Sequence, residues 1–598
     1  MEQKIRSMVL LTTLLWAAFT AITIQAMIAL SVNAEPGMGF LRHVSYGLQY
    51  GNMRLLRNGI VCGGSLLVSW LWRKCAFNDR RFHLSALLLA FFFSWNTVMW
   101  LSSQRPRLLE HLLFLPGTAA VENLLFYLQL TVNYYCMIAA LCDWLNHRDA
   151  LEPLKISKTV GLLYGAIIVL GWLPILFLRS PGSLYMDTVI QILMYQGSFP
   201  IHASMPVLLT CLYGGLFALG QHFAGDNGGI FVCAMLQICL LLSAMTVACR
   251  EAALVTGRKS VGLVLSLFFA LVPVYPEMAL GLIKDSIHGA VYLFFLIFFI
   301  RVLQIGKRAD FFGLAIWGVL AVATRKGGVY LVAICLVGLA IKQKAWRKMF
   351  LLGTAALLLG SWSMNSLVYP ALGIDKPWKR ENYSLIYPVT AYYCQMHGQE
   401  LTPEEVQIID DVLDYDTVCK MYSNIVVDDV KNTFHASNDA QIRKYLLLNA
   451  KFLIRHPATC LEAVVYSKNL YYTPFSLGGQ TMYVTQCPLD AVEGGRKSDF
   501  SFWMPEDARL EGEDRLEMVQ NFLPVRILCS PGLYSCVVGI LLLAAIWDKR
   551  TYFCWMLLPV ATLTVGLLLT HINGAVRYAF PQMVCVPFLT AIYTQKKK

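Results

Sequence analysis

Four short polar stretches interrupt an otherwise apolar chain with residue types suited to proton transfer and anion binding. Ser180-Pro181-Gly182-Ser183-Leu184-Tyr185-Met186-Asp187-Thr188-Val189-Ile190-Gln191 sets one carboxylate just after the apolar run 160–178. Lys284-Asp285-Ser286 and Arg325-Lys326-Gly327-Gly328 follow, and Asn573-Gly574-Ala575-Val576-Arg577-Tyr578 opens the last apolar run. A carboxylate at the mouth of a hydrophobic bundle is costly to desolvate and persists where it meets a cation, a metal or a reacting group. Asp187 could take the proton of an attacking hydroxyl, a step worth about 10²–10⁴-fold, or it could merely N-cap a helix starting at Thr188. Arg325 and Lys326, followed by glycines that let a backbone come close, point to a phosphate or sugar-phosphate contact. Asp285 offers a second carboxylate. With Glu277 nearby it makes a composite site for a divalent cation, Mg or Mn, conceivable, unless Lys284 neutralises it.

These residues need elements to position them, and the composition says which. The chain has 598 residues, 57% hydrophobic and 14% charged, and its mean hydropathy is +0.55. That is too apolar for a soluble protein of this size and fits an all-α polytopic membrane protein. A helix needs about 20 residues to cross roughly 30 Å of hydrocarbon, and runs near that length give about 14 transmembrane helices. They fall at 8–30, 59–71, 84–101, 121–145, 160–178, 205–219, 230–247, 261–274, 279–300, 311–323, 328–341, 350–367, 527–546, 553–569 and 577–593. The run 8–30 is too long for a signal-peptide core and reads as an uncleaved first helix. The excess of 49 Lys and Arg over 37 Asp and Glu sits mainly in short loops, so topogenesis explains it and nucleic acid is not an expected partner.

The basic clusters place the N- and C-termini in the cytoplasm and the Asp187 loop outside the cell membrane. They divide the chain into an N-terminal four-helix extension (1–157), a membrane core (158–369) whose outer loop is 179–204, an extracytoplasmic domain (370–526) and C-terminal transmembrane helices (527–598). The outer domain reads as small and mainly helical, with Thr402-Pro403-Glu404-Glu405 opening one helix and 439–454 forming another. The parity does not close between Asp187 and Lys284, because three apolar runs separate two outward loops. Either one run does not cross, or Arg250, Arg258 and Lys259 break the positive-inside trend. Most of the 17 cysteines lie in apolar runs. Cys394, Cys419, Cys460 and Cys487 lie in the polar insert, where a disulfide is open.

The order of span, outward loop with Pro-Gly and one acid, amphipathic stretch, then Pro206 opening the next run resembles the glycosyltransferase-C superfamily. The wording Ser180-Pro181-Gly182, Asp187 and Gln191, with Lys284-Asp285-Ser286 and Arg325-Lys326-Gly327-Gly328, is similar to an uncharacterised bacterial branch of it, a domain of unknown function, over 160–593. The resemblance implies a polyprenyl-phosphate sugar lipid as donor, a cell-envelope acceptor, and transfer in the bilayer's outer leaflet. It gives Asp187 the role of base or metal holder, with Asp285 as second catalytic candidate. Arg577, Tyr578, Arg325, Lys326, Lys284, His202 and Gln191 become substrate-binding candidates. The Arg577-Tyr578 pair resembles one near the end of many members, though Arg577 could equally snorkel to headgroups. His202 stands in a stretched version of a His-Pro motif and could be a structural polar residue. Tyr185-Met186-Asp187 lacks the paired acids of metal-using relatives. A transporter or flippase, or a non-catalytic scaffold, is the alternative reading, though no internal repeat of two halves is visible.

Overall fold

Helices supply nearly all the regular structure of the computed structural model, which describes residues 80–103, 118–146, 157–304, 306–423, 426–474, 489–490, 495, 497–570 and 572–593. The all-α class expected from the apolar runs holds, and the one sheet among the described residues pairs two strands of two residues each. The runs 8–30 and 59–71 and Cys487 lie outside the described residues. Cys394, Cys419 and Cys460 carry free thiols.

The described residues do not support the expected count of about 14 crossings. Among the described residues five helices are long and apolar enough to cross a membrane: Thr159–Leu178, Val207–Thr256, Lys284–Gln304, Lys344–Ala371 and Thr551–Leu569. A sixth results if Lys259–Leu271 and Val274–Leu280, bent by 62° at their junction, count as one broken span. Gly328–Lys342 and Pro531–Trp547 are apolar but shorter, and at 1.5 Å per residue they fall below the full hydrocarbon thickness. Hydropathy alone registers such pieces as crossings because it cannot sense where a helix breaks.

One such break falls in the stretch whose parity did not close. Within Val207–Thr256 the backbone leaves the helical region at Ala224 and at Gly225, whose φ of 61° suits only glycine. The pieces before and after fold back on each other, and Gly220 and Gly228 approach so closely that a Cβ on Gly220 would lie 2.1 Å from the Gly228 carbonyl oxygen. Met205, just before this hairpin, puts its sulfur 3.5 Å from Lys284 Nζ. At the turn, the Asp226 N–H donates to Asp499, while the nearby Trp503 N–H reaches back to the Ser180 carbonyl. The expected run 205–219 therefore begins and ends on the Asp187 side. Beyond it, Glu251 pairs with Arg301, Tyr164 donates to the Lys259 carbonyl and Gln343 to that of Leu303, which gathers the basic residues around 250–259, 301–308 and 342–348 at the opposite end.

Lys284–Gln304 is the central helix, with 83% of its apolar window buried, whereas Lys344–Ala371 is 6% buried and stands at the margin. The insert has its own hydrophobic core, built from Tyr387, Tyr393, Ile409, Leu413, Tyr445 and Phe452. Its expected first helix is Pro403–Asp410, where Thr402 and Glu405 form a reciprocal capping box, and its second is Asp439–Arg455. The insert joins the bundle at the Asp187 end through a bridge between His202 and Asp375 and another between Val426 and Ile572.

Candidate functional site

A two-strand parallel pairing builds the site. Ser183 aligns with Gly281 and Leu184 with Leu282, so the residues that follow each strand, Asp187 and Lys284, emerge side by side. Gln237 locks the pair, its Nε2 lying 3.0, 3.0 and 2.7 Å from the carbonyls of Met278, Ala279 and Gly281. Thr188 Oγ1 donates to the Leu282 carbonyl at 2.5 Å. Short strands flanked by helices carry little sequence signal, because a period of two residues needs more than one repeat to register.

Asp187 does not cap its helix. Met186–Tyr195 takes Tyr185 as N-cap without a side-chain cap bond, and Asp187 sits in the first turn. Its Oδ2 accepts from Lys284 Nζ at 2.7 Å and from Arg577 Nη1 at 3.4 Å. Arg577 also donates to the Tyr578 hydroxyl at 3.0 Å and lies over that ring, 4.7 Å from its centroid. Burial disfavours the charged carboxylate, but the facing Lys284 and Arg577 outweigh it and hold Asp187 well below the usual carboxylate range. Each side chain of this trio keeps about a fifth of its surface open: 21% for Asp187, 20% for Lys284 and 17% for Arg577.

Asp285 lies deeper, 2% exposed. Arg325 Nη1 stands 3.9 Å from its Oδ1 and donates to the Tyr578 carbonyl at 3.4 Å, which ties this second pair to the first. Asp285 Oδ2 and His288 Nε2 are buried and find no hydrogen-bond partner among the described residues. His288 Nδ1 meets Thr324 Oγ1 at 2.9 Å. A buried acceptor left open costs free energy, so it marks a place where something polar can bind.

Of the residues singled out from sequence, Asp187, Lys284, Arg577, Tyr578, Arg325 and Asp285 thus come together. Lys326 is exposed and within electrostatic reach of Glu381, Lys284 and Lys431. His202 stacks on Trp378, 4.1 Å between ring centroids, and anchors the insert instead of meeting Asp187; its burial draws its imidazole below the ordinary value. Gln191 is fully buried and donates to Thr210 Oγ1 at 3.2 Å, inside the packing of two helices. Glu277 joins a different cluster: Arg179 Nη1 is 3.5 Å away, Arg179 forks onto Glu513 at 3.0 and 2.7 Å, and Gln520 donates to Glu277. The acids considered for a divalent ion are thereby divided, and Lys284 and Arg577 already fill the free face of Asp187. This residue set does not fit a hard dication.

Sequence reasoning missed two contributors from the insert. Lys431 pairs with Glu381 at 3.2 Å and Asp428 at 2.7 Å, and its charge is felt at Asp187. Neither Lys431 nor Glu381 differs in type or spacing from the other charges of a solvated domain, so no local signal could have found them.

The long apolar helices and the charged cluster at one end of the bundle define an all-helical membrane protein. The chain belongs to a family of unknown function (DUF6020), whose profile matches residues 200–598. That span covers Lys284, Asp285, Arg325 and Arg577 and begins after Asp187. No curated protein and no solved structure matches the chain.

Proposed function

We propose that the protein is an integral membrane glycosyltransferase that moves a sugar from a polyprenyl-phosphate donor to a cell-envelope acceptor. The observation that carries this reading is the convergence of Lys284 and Arg577 on Asp187, all three partly open, with the Arg325–Asp285 pair beside them. The acceptor hydroxyl attacks the anomeric carbon, the bond from that carbon to the phosphate oxygen breaks, and the hydroxyl proton passes to Asp187. The phosphate leaves with its electron pair, and Lys284 and Arg577 hold the charge it gains. At rest the same cations make Asp187 a weak base. A phosphate drawn into their reach shares them, which loosens their hold on the carboxylate and raises its basicity only when donor is present.

Membrane orientation follows the same logic. The end of the bundle opposite Asp187 collects Arg250, Arg258, Lys259, Arg301, Lys307, Arg308, Lys342 and Lys344, which the positive-inside rule assigns to the cytoplasm. The Asp187 end and the insert then face outward, where lipid-linked sugars meet envelope acceptors.

The test is transfer of radiolabelled sugar from a panel of polyprenyl-phosphate sugars to an added cell-envelope fraction by the purified protein in liposomes, with Lys284→Gln and Arg577→Gln alongside. Consumption of one donor by the wild type, with its KM raised in both variants, supports the reading. No consumption of any donor, or full activity in both variants, overturns it.

A further inference from the structure

The insert carries a second cluster of potential ligands, remote in sequence from the Asp187 site. We propose that His397, Glu400 and His456 bind one divalent transition-metal ion of the zinc class. The three residues each offer a ligand atom, and those atoms lie within 4.8 Å of one another. Glu400 bridges the two imidazoles, with one oxygen 2.8 Å from His397 Nδ1 and the other 2.9 Å from His456 Nε2. The rings stack at 3.8 Å between centroids and 16° between planes, so two ring nitrogens sit side by side facing one carboxylate.

Two further features favour a metal over a simple surface ion pair. His397 Nε2 meets Thr459 Oγ1 at 3.0 Å, a partner of the kind that fixes tautomer and ring orientation behind a ligating histidine. Tyr393 packs on both rings, at 5.1 and 5.6 Å, and itself stacks on buried Phe452 at 3.8 Å, so the histidines are seated on the core of the insert. Two imidazoles and one carboxylate are a donor set that zinc takes at about 2.0–2.2 Å, leaving the fourth tetrahedral position for water. Entry of the ion replaces the two hydrogen bonds to Glu400 and needs the rings to splay slightly. The Glu400 side chain, half exposed at 51%, is free to follow. The site would join the end of helix Tyr387–His397 to the start of helix Pro457–Tyr466, two helices already packed together through Tyr392, Glu462 and Tyr466.

The experiment uses the full chain in detergent, purified without a polyhistidine tag and stripped with chelator, then titrated with Zn²⁺ alone and with Co²⁺ alone. The wild type is expected to take up one equivalent that His397→Ala, His456→Ala and Glu400→Gln do not. The Co²⁺ form is expected to show the visible bands of tetrahedral coordination without sulfur charge transfer. Thr459→Val should weaken uptake by roughly 10- to 100-fold. Glu400→Gln alters a half-exposed side chain, so it stays informative if a histidine variant fails to fold. Equal uptake by wild type and Glu400→Gln, or no uptake by wild type, overturns the site.

Discussion

Two ion clusters flank the same pair of short strands, and they are built from the same groups. In one, Arg179 grips Glu277 and Glu513; in the other, Lys284 and Arg577 grip Asp187. The Arg179–Glu277 pair is sealed, with side-chain exposures of 4% and 0%, and only Glu513, on the covering helix Glu506–Asn521, reaches the surface at 23%. The second stays about one-fifth open on every member. A sealed pair of charges has only the partners already beside it to offset its desolvation, and no ligand can reach it from solvent. An open pair keeps the option of trading a partner for a ligand. The exposure of the cations, 4% for Arg179 against about a fifth for Lys284 and Arg577, separates the two clusters, and residue type does not.

The sharpest way to break this comparison is at the carboxylates. Asp187→Asn is nearly isosteric and removes the proton acceptor, so sugar transfer should fall by about 10²–10⁴-fold with the fold retained and only a modest loss of thermal stability. Arg179→Leu should do the reverse. It takes the cation out of a buried pair, which costs up to about 3–5 kcal/mol, read as a drop in the thermal unfolding midpoint. Adding Glu277→Gln to Arg179→Leu should restore part of that loss. Arg577→Gln comes next: it removes one charge-assisted contact worth about 1.5–3 kcal/mol, and donor KM should rise roughly 10- to 100-fold.

The smallest effect concerns pH and sharpens the contrast between the bundle and the insert. In the insert, burial opposes ionisation of Glu405, but Arg455, Lys451 and the Thr402 N–H bring its carboxyl down to about 2. A carboxyl lowered on folding contributes stability that is present above its unfolded value of about 4.3 and is lost as pH falls toward the folded value. Asp187 is lowered as well, so its window lies in the same acid range. Unfolding midpoints should therefore owe no pH dependence between pH 5 and 8 to either acid, and Glu405→Gln should flatten a decline seen below about pH 4.

Much of this arrangement was legible in the sequence for a physical reason. Asp187, Lys284, Arg325 and Arg577 are charges at the edges of apolar runs, where hydrocarbon makes each one expensive, so their mere presence is informative. Lys431 and Glu381 sit in a polar insert where charge costs little, and they carried no such signal. The helix at Pro403–Asp410 was readable because a capping box is a local device of four residues. The contact of Asp187 with Lys284 depends on a strand pairing across almost a hundred residues, and Gln191, adjacent in sequence, turned out to face Thr210. The crossing count failed for a related reason. A break such as Ala224–Gly225, or a 62° bend between two apolar helices, changes direction without changing composition.

The central claim is that the open cluster acts on substrate while the closed one only stabilises. The most direct measurement takes wild type, Asp187→Asn and Glu277→Gln from one preparation and records sugar transfer from lipid-phosphate donors together with the thermal unfolding midpoint. The account predicts that Asp187→Asn stays folded, with only a modest fall in midpoint, yet loses transfer, and that Glu277→Gln keeps transfer while its midpoint moves. Full transfer by Asp187→Asn, or loss of transfer in Glu277→Gln at an unchanged midpoint, would contradict it.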